Sequence, residues 1–165
     1  MKQKKIIGIT GGVGAGKSSV LAVLKNDFGA KIILADLVAH DLMGPGSLGL
    51  RKVTEALGTS FLTPDGAVDR KALADLIFRD KEALKTMNSI IHPLVWKTMK
   101  EEAEAASENL VIIEAAVFDT APKNFFDELW YVYTTKENRT VRLMENRGYS
   151  REKCEDIIGR QASEE

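Results

Sequence analysis

Gly11-Gly12-Val13-Gly14-Ala15-Gly16-Lys17-Ser18 follows directly on the apolar run Ile6-Ile7-Gly8-Ile9. The stretch fits G-x-x-x-x-G-K-[ST] in the strand-loop-helix setting that this phosphate-cradling pattern requires. Glycines allow a tight turn and leave main-chain N–H groups free to point at phosphate oxygens. A helix beginning near Lys17 adds the positive end of its dipole. Lys17 is expected to reach the β- and γ-phosphates, and the Ser18 hydroxyl to ligate Mg²⁺. Gly12, Val13, Gly14, Ala15, Gly16, Lys17, Ser18 and Ser19 are therefore the expected nucleotide contacts, with Ser19 at the helix start or near the α-phosphate. The helix carries Val20, Leu21, Leu24 and Phe28 at helical spacing and stops at Gly29.

Composition sets the outer limits. The chain has 165 residues, 44% hydrophobic and 28% charged, as in a globular domain with a real core. A net charge of −1 gives no field favouring nucleic acid. Cys154 is the single cysteine, so no internal disulfide forms, and a reducing compartment fits. No apolar stretch is long enough to span a bilayer. Lys2, Lys4 and Lys5 precede an apolar run too short for a signal peptide. A cytoplasmic protein is expected.

Working outward from the loop, Lys31 to Ala35 is a second apolar strand, and strand, helix, strand argues for a parallel sheet. Met43 to Ser47 is a break, and from there to about Ser107 the chain reads helical, with an irregular stretch over Phe61 to Val68. Asp69 and Asp80 are expected N-caps. His92-Pro93 is expected to separate two helices, with Pro93 in the first turn of the second. Leu94, Val95, Met99 and Ala103 mark the buried face of that helix. Leu110 to Ile113, ending in Glu114, and Leu129 to Tyr133 are the third and fourth strands. Thr134 with Glu137 reads as a capping box for a helix ending at Gly148, and Ser150 caps a last helix. The fold class is α/β: a parallel sheet with helices on both faces and a helical insertion between strands 2 and 3.

Asp36 comes immediately after the second strand, at the sheet edge where open α/β folds bind ligands. It accepts the proton of a substrate hydroxyl, or else it is a helix N-cap before Leu37 and Val38. Glu114 holds the equivalent place after the third strand, either as a magnesium partner acting through water or as a plain strand-end acid. Asp119 follows in the same loop. Arg139 and Arg142 share a helix face. They clamp phosphate, or they form a solvated basic face. Arg147 points elsewhere on a regular helix. His40 lies one helical turn beyond Asp36, within its reach. His40 and His92 are candidate substrate contacts, with a structural role for His92 the simpler alternative. Phe125, Phe126, Trp130 and Tyr131 read as core.

Taken together, the chain resembles the dephospho-CoA kinase family. The resemblance rests on Ile7 to Ser18, on Ala35-Asp36 followed by Ala39-His40, on Ile91-His92-Pro93-Leu94-Val95, and on Arg142-Leu143-Met144 with Gln161. It implies a P-loop kinase three-layer sandwich and ATP-dependent phosphorylation of the ribose 3′-hydroxyl of dephospho-CoA, the last step of coenzyme A synthesis. By position it gives Asp36 the general-base role, with Lys17 on phosphate, Ser18 on Mg²⁺ (Asp36 or Glu114 assisting through water) and Arg142 in a lid. ATP and Mg²⁺ are the implied cofactors and dephospho-CoA the implied small-molecule partner, without nucleic acid or membrane. The chain 1–165 becomes one kinase domain, with approximately 44–108 a substrate-accepting subdomain and approximately 136–163 lid-type helices. Alternatives are another small-molecule P-loop kinase of the nucleotide or nucleoside type, or a nucleotide-binding module of weak catalysis. Three features depart from the family pattern. Leu34 stands where a first acid is common, and Asn146 where a further lid arginine is common. Members also usually continue past the Gln161 region into another strand and a helix.

Overall fold

The computed structural model describes residues 4–161. Strand β1 (Lys5–Thr10) pairs in parallel with β3 (Leu110–Glu114) on one side and with β4 (Glu128–Tyr131) on the other. With β2 (Lys31–Leu34) the strand order is β2-β3-β1-β4. Ile7 and Ile9 in β1 and Val111, Ile112 and Ile113 in β3 are buried. β-branched residues at successive positions suit strands covered on both faces. Each such side chain contributes roughly 1.5–3 kcal/mol by leaving water.

The described chain divides into two compact units, with the boundary inside β2. Among the described residues, the first comprises 4–32, 106–119 and 123–161. In it α1 (Lys17–Asn26) lays Leu24 against Ile7, Ile9, Ala30 and Ile112, with Val20 and Leu21 at the margin. Phe28 lies beyond the end of α1 and is 67% exposed, not on its buried face. The helix has already closed at Asp27, and Gly29 at φ 64° turns the chain away. α6 (Lys136–Arg147) and α7 (Arg151–Gly159) pack together around Leu143, Cys154 and Ile158. Ser150 caps α7 as expected, accepting from the Lys153 N–H. The cap of α6 is Thr135, one residue later than expected: its hydroxyl accepts from the Asn138 N–H at 3.2 Å. Glu137 is consequently not part of a capping box and bonds Arg151 instead.

The second unit comprises residues 33–105 and 120–122. It is helical: α2 (Ala35–Leu42), α3 (Leu48–Leu57), α4 (Arg70–Arg79) and α5 (Lys81–Ala105), with α2, α3 and α4 all packed on α5. Asp69 caps α4 through the Lys71 and Ala72 N–H groups, and Asp80 caps α5 through Glu82 and Ala83, both as read from sequence. Phe61, in the irregular segment, is fully buried, and the bridge Leu62–Val68 closes that segment. Val95, Met99 and Ala103 are buried on α5 as expected, joined by Ile91 and Trp96, whereas Leu94 is only half-buried.

His92-Pro93 does not divide two helices. Pro93 sits inside one continuous helix of 25 residues. Proline removes a single backbone donor there, and the apolar face of α5, shared with three other helices, outweighs that loss. The aromatic expectation also fails in part. Phe125 and Phe126 are half-buried, with ring centroids 4.8 Å apart, and Phe126 meets Phe118 at 5.0 Å. Trp130 and Tyr131 are exposed: β4 is one of the two edge strands of the described sheet, and all four of its residues are exposed. No helix is long and apolar enough to cross a membrane among the described residues.

Candidate active site

The loop between β1 and α1 is built by backbone geometry that glycine permits. Gly16 takes the left-handed conformation at φ 102°, ψ 18°, and serves as the N-cap of α1 without any side-chain cap. The turn is tightened by the Ala15 N–H, which donates to the Gly12 carbonyl at 3.0 Å. The N–H groups of Gly14, Gly16, Lys17 and Ser18 have no hydrogen-bond acceptor among the described residues. Four free amides at a helix N-terminus form an anion cradle. The Ser18 and Ser19 side chains are exposed beside it.

Lys17 Nζ donates to the Gly11 carbonyl at 2.6 Å and lies 3.8 Å from Glu114 Oε1. The pairing has a simple origin: register places Glu114 opposite Ile9, two residues before the loop opens. Both side chains are about one-fifth exposed. Parallel pairing of β1 and β3 therefore delivers an ammonium and a carboxylate to the same edge, a relation that the sequence places only by topology.

Two of the three arginines of α6, Arg139 and Arg142, turn inward to the loop. Arg142 Nη1 donates to the Ala15 carbonyl at 2.9 Å. Arg139 is only 4% exposed, and its Nε donates to the Val13 carbonyl at 2.9 Å. A solvated basic face is thus ruled out for Arg139. Helical spacing puts the two on one face but carries no signal that this face is covered. Gln161, just past α7, accepts from the Val13 N–H at 3.1 Å and from Arg139 Nη2. Sequence reading noted Gln161 only through a family pattern and assigned it no contact.

The remaining candidates lie in the helical unit. Asp36 falls in the first turn of α2 and makes no cap bond; the N-cap position belongs to Leu34, so the capping alternative fails. β2 runs into α2 without an intervening residue. His40 is exposed, with Nδ1 3.4 Å from Asp41 Oδ1. It makes no hydrogen bond to Asp36 among the described residues. His92 lines an open groove of about 590 Å³ with Pro93, Trp96, Lys97, Thr120 and Pro122. Trp96 Nε1 donates to Thr120 Oγ1 at 3.0 Å and fixes one wall of that groove. No group of three or more His, Cys, Asp or Glu side chains suited to a metal occurs among the described residues.

A glycine-rich loop leading into a helix at the end of a central parallel strand, with a lysine, a hydroxyl and a neighbouring strand-end acid, defines a P-loop phosphotransferase. The fold agrees with that of dephospho-CoA kinase from Campylobacter jejuni, with a TM-score of 0.66 at 24% identity over 96% of this chain and 81% of that one. A solved protein from Thermus thermophilus is similar at 31% identity and a TM-score of 0.75, over 98% of this chain and 82% of that one.

The dephospho-CoA kinase family profile matches residues 5–165, and the chain belongs to that family. It is 38% identical to dephospho-CoA kinase of Moorella thermoacetica, over 96% of this chain and 77% of the relative. To the enzyme of Carboxydothermus hydrogenoformans it is 36% identical, over 90% of this chain and 74% of the relative. The chain is accordingly a kinase that transfers a phosphoryl group to dephospho-CoA.

Proposed function

We propose that the phosphoryl donor is ATP, held at Gly11–Ser18, and that the acceptor is the ribose 3′-hydroxyl of dephospho-CoA. The observation that carries this reading is the set of free amides at Gly14, Gly16, Lys17 and Ser18, with Lys17 poised beside Glu114. Those amides bind the terminal phosphates, and Lys17 exchanges the Gly11 carbonyl for phosphate oxygens. Asp36 accepts the proton of the acceptor hydroxyl as its oxygen attacks the γ-phosphorus. The bond from that phosphorus to the bridging oxygen breaks, and ADP leaves. Arg142 neutralises charge on the phosphates when it releases the Ala15 carbonyl.

The donor set suits magnesium. Mg²⁺ keeps several waters and takes one or two protein oxygens besides phosphate; the Ser18 hydroxyl would supply one, with Asp36 or Glu114 acting through a retained water. A magnesium ion held there would supply charge neutralisation for the terminal phosphates. Helices α2 to α5 form the substrate-accepting subdomain, with the His92 groove and His40 as acceptor contacts; α6 and α7 form the lid. The setting is the cytoplasm, in keeping with a lone cysteine and no membrane-crossing helix among the described residues.

The test is isotope transfer from ATP labelled at the γ-phosphorus, with dephospho-CoA, adenosine and nucleoside monophosphates offered separately. Label on dephospho-CoA alone, at the 3′-oxygen, supports the assignment. Label on a nucleoside monophosphate, or on another oxygen, contradicts it.

A further inference from the structure

Val13 is the one loop residue held on three sides. Its N–H donates to Gln161 Oε1 at 3.1 Å, its carbonyl accepts from Arg139 Nε at 2.9 Å, and its side chain packs on Leu143, Cys154 and Ile158 between α6 and α7. Arg139 Nη2 donates in turn to the same Gln161 oxygen. The guanidinium and the carboxamide thus form a clasp around one residue of the phosphate loop, holding the peptide units on both sides of Val13. Gly12 makes room for it, since a Cβ there would overlap the Arg139 guanidinium. Arg139 is buried at the cost of its hydration, and a buried cation earns its place through charge-assisted hydrogen bonds.

The geometry points to Arg139 and Gln161 as positioning residues for the nucleotide, acting through Val13 and not on phosphate directly. The clasp fixes the peptide plane immediately before Gly14, so the free amides of Gly14, Gly16, Lys17 and Ser18 stay aimed together. An unclasped loop of this glycine content samples many conformations, and binding would have to order it at each encounter. Because Gln161 follows α7 and Arg139 lies on α6, any shift of these helices is also transmitted to the loop. The inference rests on the loop being the ATP site.

Gln161→Leu removes the shared acceptor oxygen on an exposed residue, so folding is spared. Its dissociation constant for ATP, measured by calorimetry on the full chain, should rise about three- to tenfold, the worth of one or two hydrogen bonds. The KM for ATP rises in parallel, while the KM for dephospho-CoA and the melting temperature stay near the parent values. Gln161→Glu keeps an oxygen for both donors and restores tight ATP binding. ATP affinity within twofold of the parent in Gln161→Leu, or failure of Gln161→Glu to restore it, overturns the proposal. A parent chain that binds no ATP at all overturns the nucleotide-site reading on which the proposal stands.

Discussion

Lys17 Nζ stands 3.8 Å from Glu114 Oε1, at the ends of two neighbouring parallel strands. The loop lysine is thus held beside a carboxylate, with its Nζ also donating to the Gly11 carbonyl. At this depth, with both groups about one-fifth exposed, the pair is screened less than a surface pair. Lys17→Ala removes the only side-chain cation that the loop itself carries. Turnover should fall by about a hundredfold or more, as for loss of one electrostatic contact to a transition state. The check is kcat/KM for ATP beside a melting curve that shows the variant folded.

Glu114→Gln keeps shape and removes charge. The expected result is a higher magnesium concentration for half-maximal turnover and a lower kcat, with little change in metal-free nucleotide binding. A magnesium titration of both proteins decides it. Superimposable curves would make Glu114 only a partner for Lys17.

Asp36→Asn should lower kcat by about 10²–10⁴, the range for removing a general base, with the ATP dissociation constant unchanged. Asp36 makes no cap bond in α2, so the substitution carries no capping penalty and its kinetics report on chemistry. Rates within a few-fold of the parent would exclude the base role.

The Glu137–Arg151 pair ties α6 to the start of α7 through two bonds of 3.0 and 2.9 Å. The Arg151 hydrogen bonds, then its charge, hold the Glu137 carboxyl below its usual range. A lowered carboxylate stabilises the fold above its unfolded-state pKa and loses that contribution as pH falls through the folded value. The melting-temperature gap between the parent and Glu137→Gln should therefore be widest near neutrality and close in acid. Both partners are exposed, so the gap is small, and moderate salt narrows it further.

Pro93→Ala gives α5 back an N–H for the Ser89 carbonyl. An alanine at this interior position should stabilise the chain by about 1–3 kcal/mol, read as a rise in denaturant midpoint at constant slope. A fall instead would mean that the groove at His92 depends on the proline ring.

Much of the fold is legible in the sequence because its signals are local. The loop spells out its own backbone geometry, and β-branched runs at Ile6–Ile9 and Leu110–Ile113 mark strands buried on both faces. Asp69, Asp80 and Ser150 announce helix starts through side chains that bond their own backbone. Misreadings fall where distant packing decides. Pro93 looks like punctuation until α2, α3 and α4 cover the same helix. Trp130 and Tyr131 look like core because nothing local says that β4 lies at an edge. Arg139 looks solvated because its acceptor, the Val13 carbonyl, is 126 residues away in sequence. The site follows the same rule: the cradle is readable, while the clasp over Val13 exists only once α6 and α7 are in place.

One measurement bears most directly on the central claim. The chain, with ATP and magnesium, is incubated with dephospho-CoA and the products are resolved by mass and by phosphorus NMR. The account predicts coenzyme A, with one phosphoryl group gained at the ribose 3′-oxygen, matched mole for mole by ADP and abolished in Lys17→Ala. ADP released without coenzyme A, or coenzyme A formed equally well by Lys17→Ala, would contradict it.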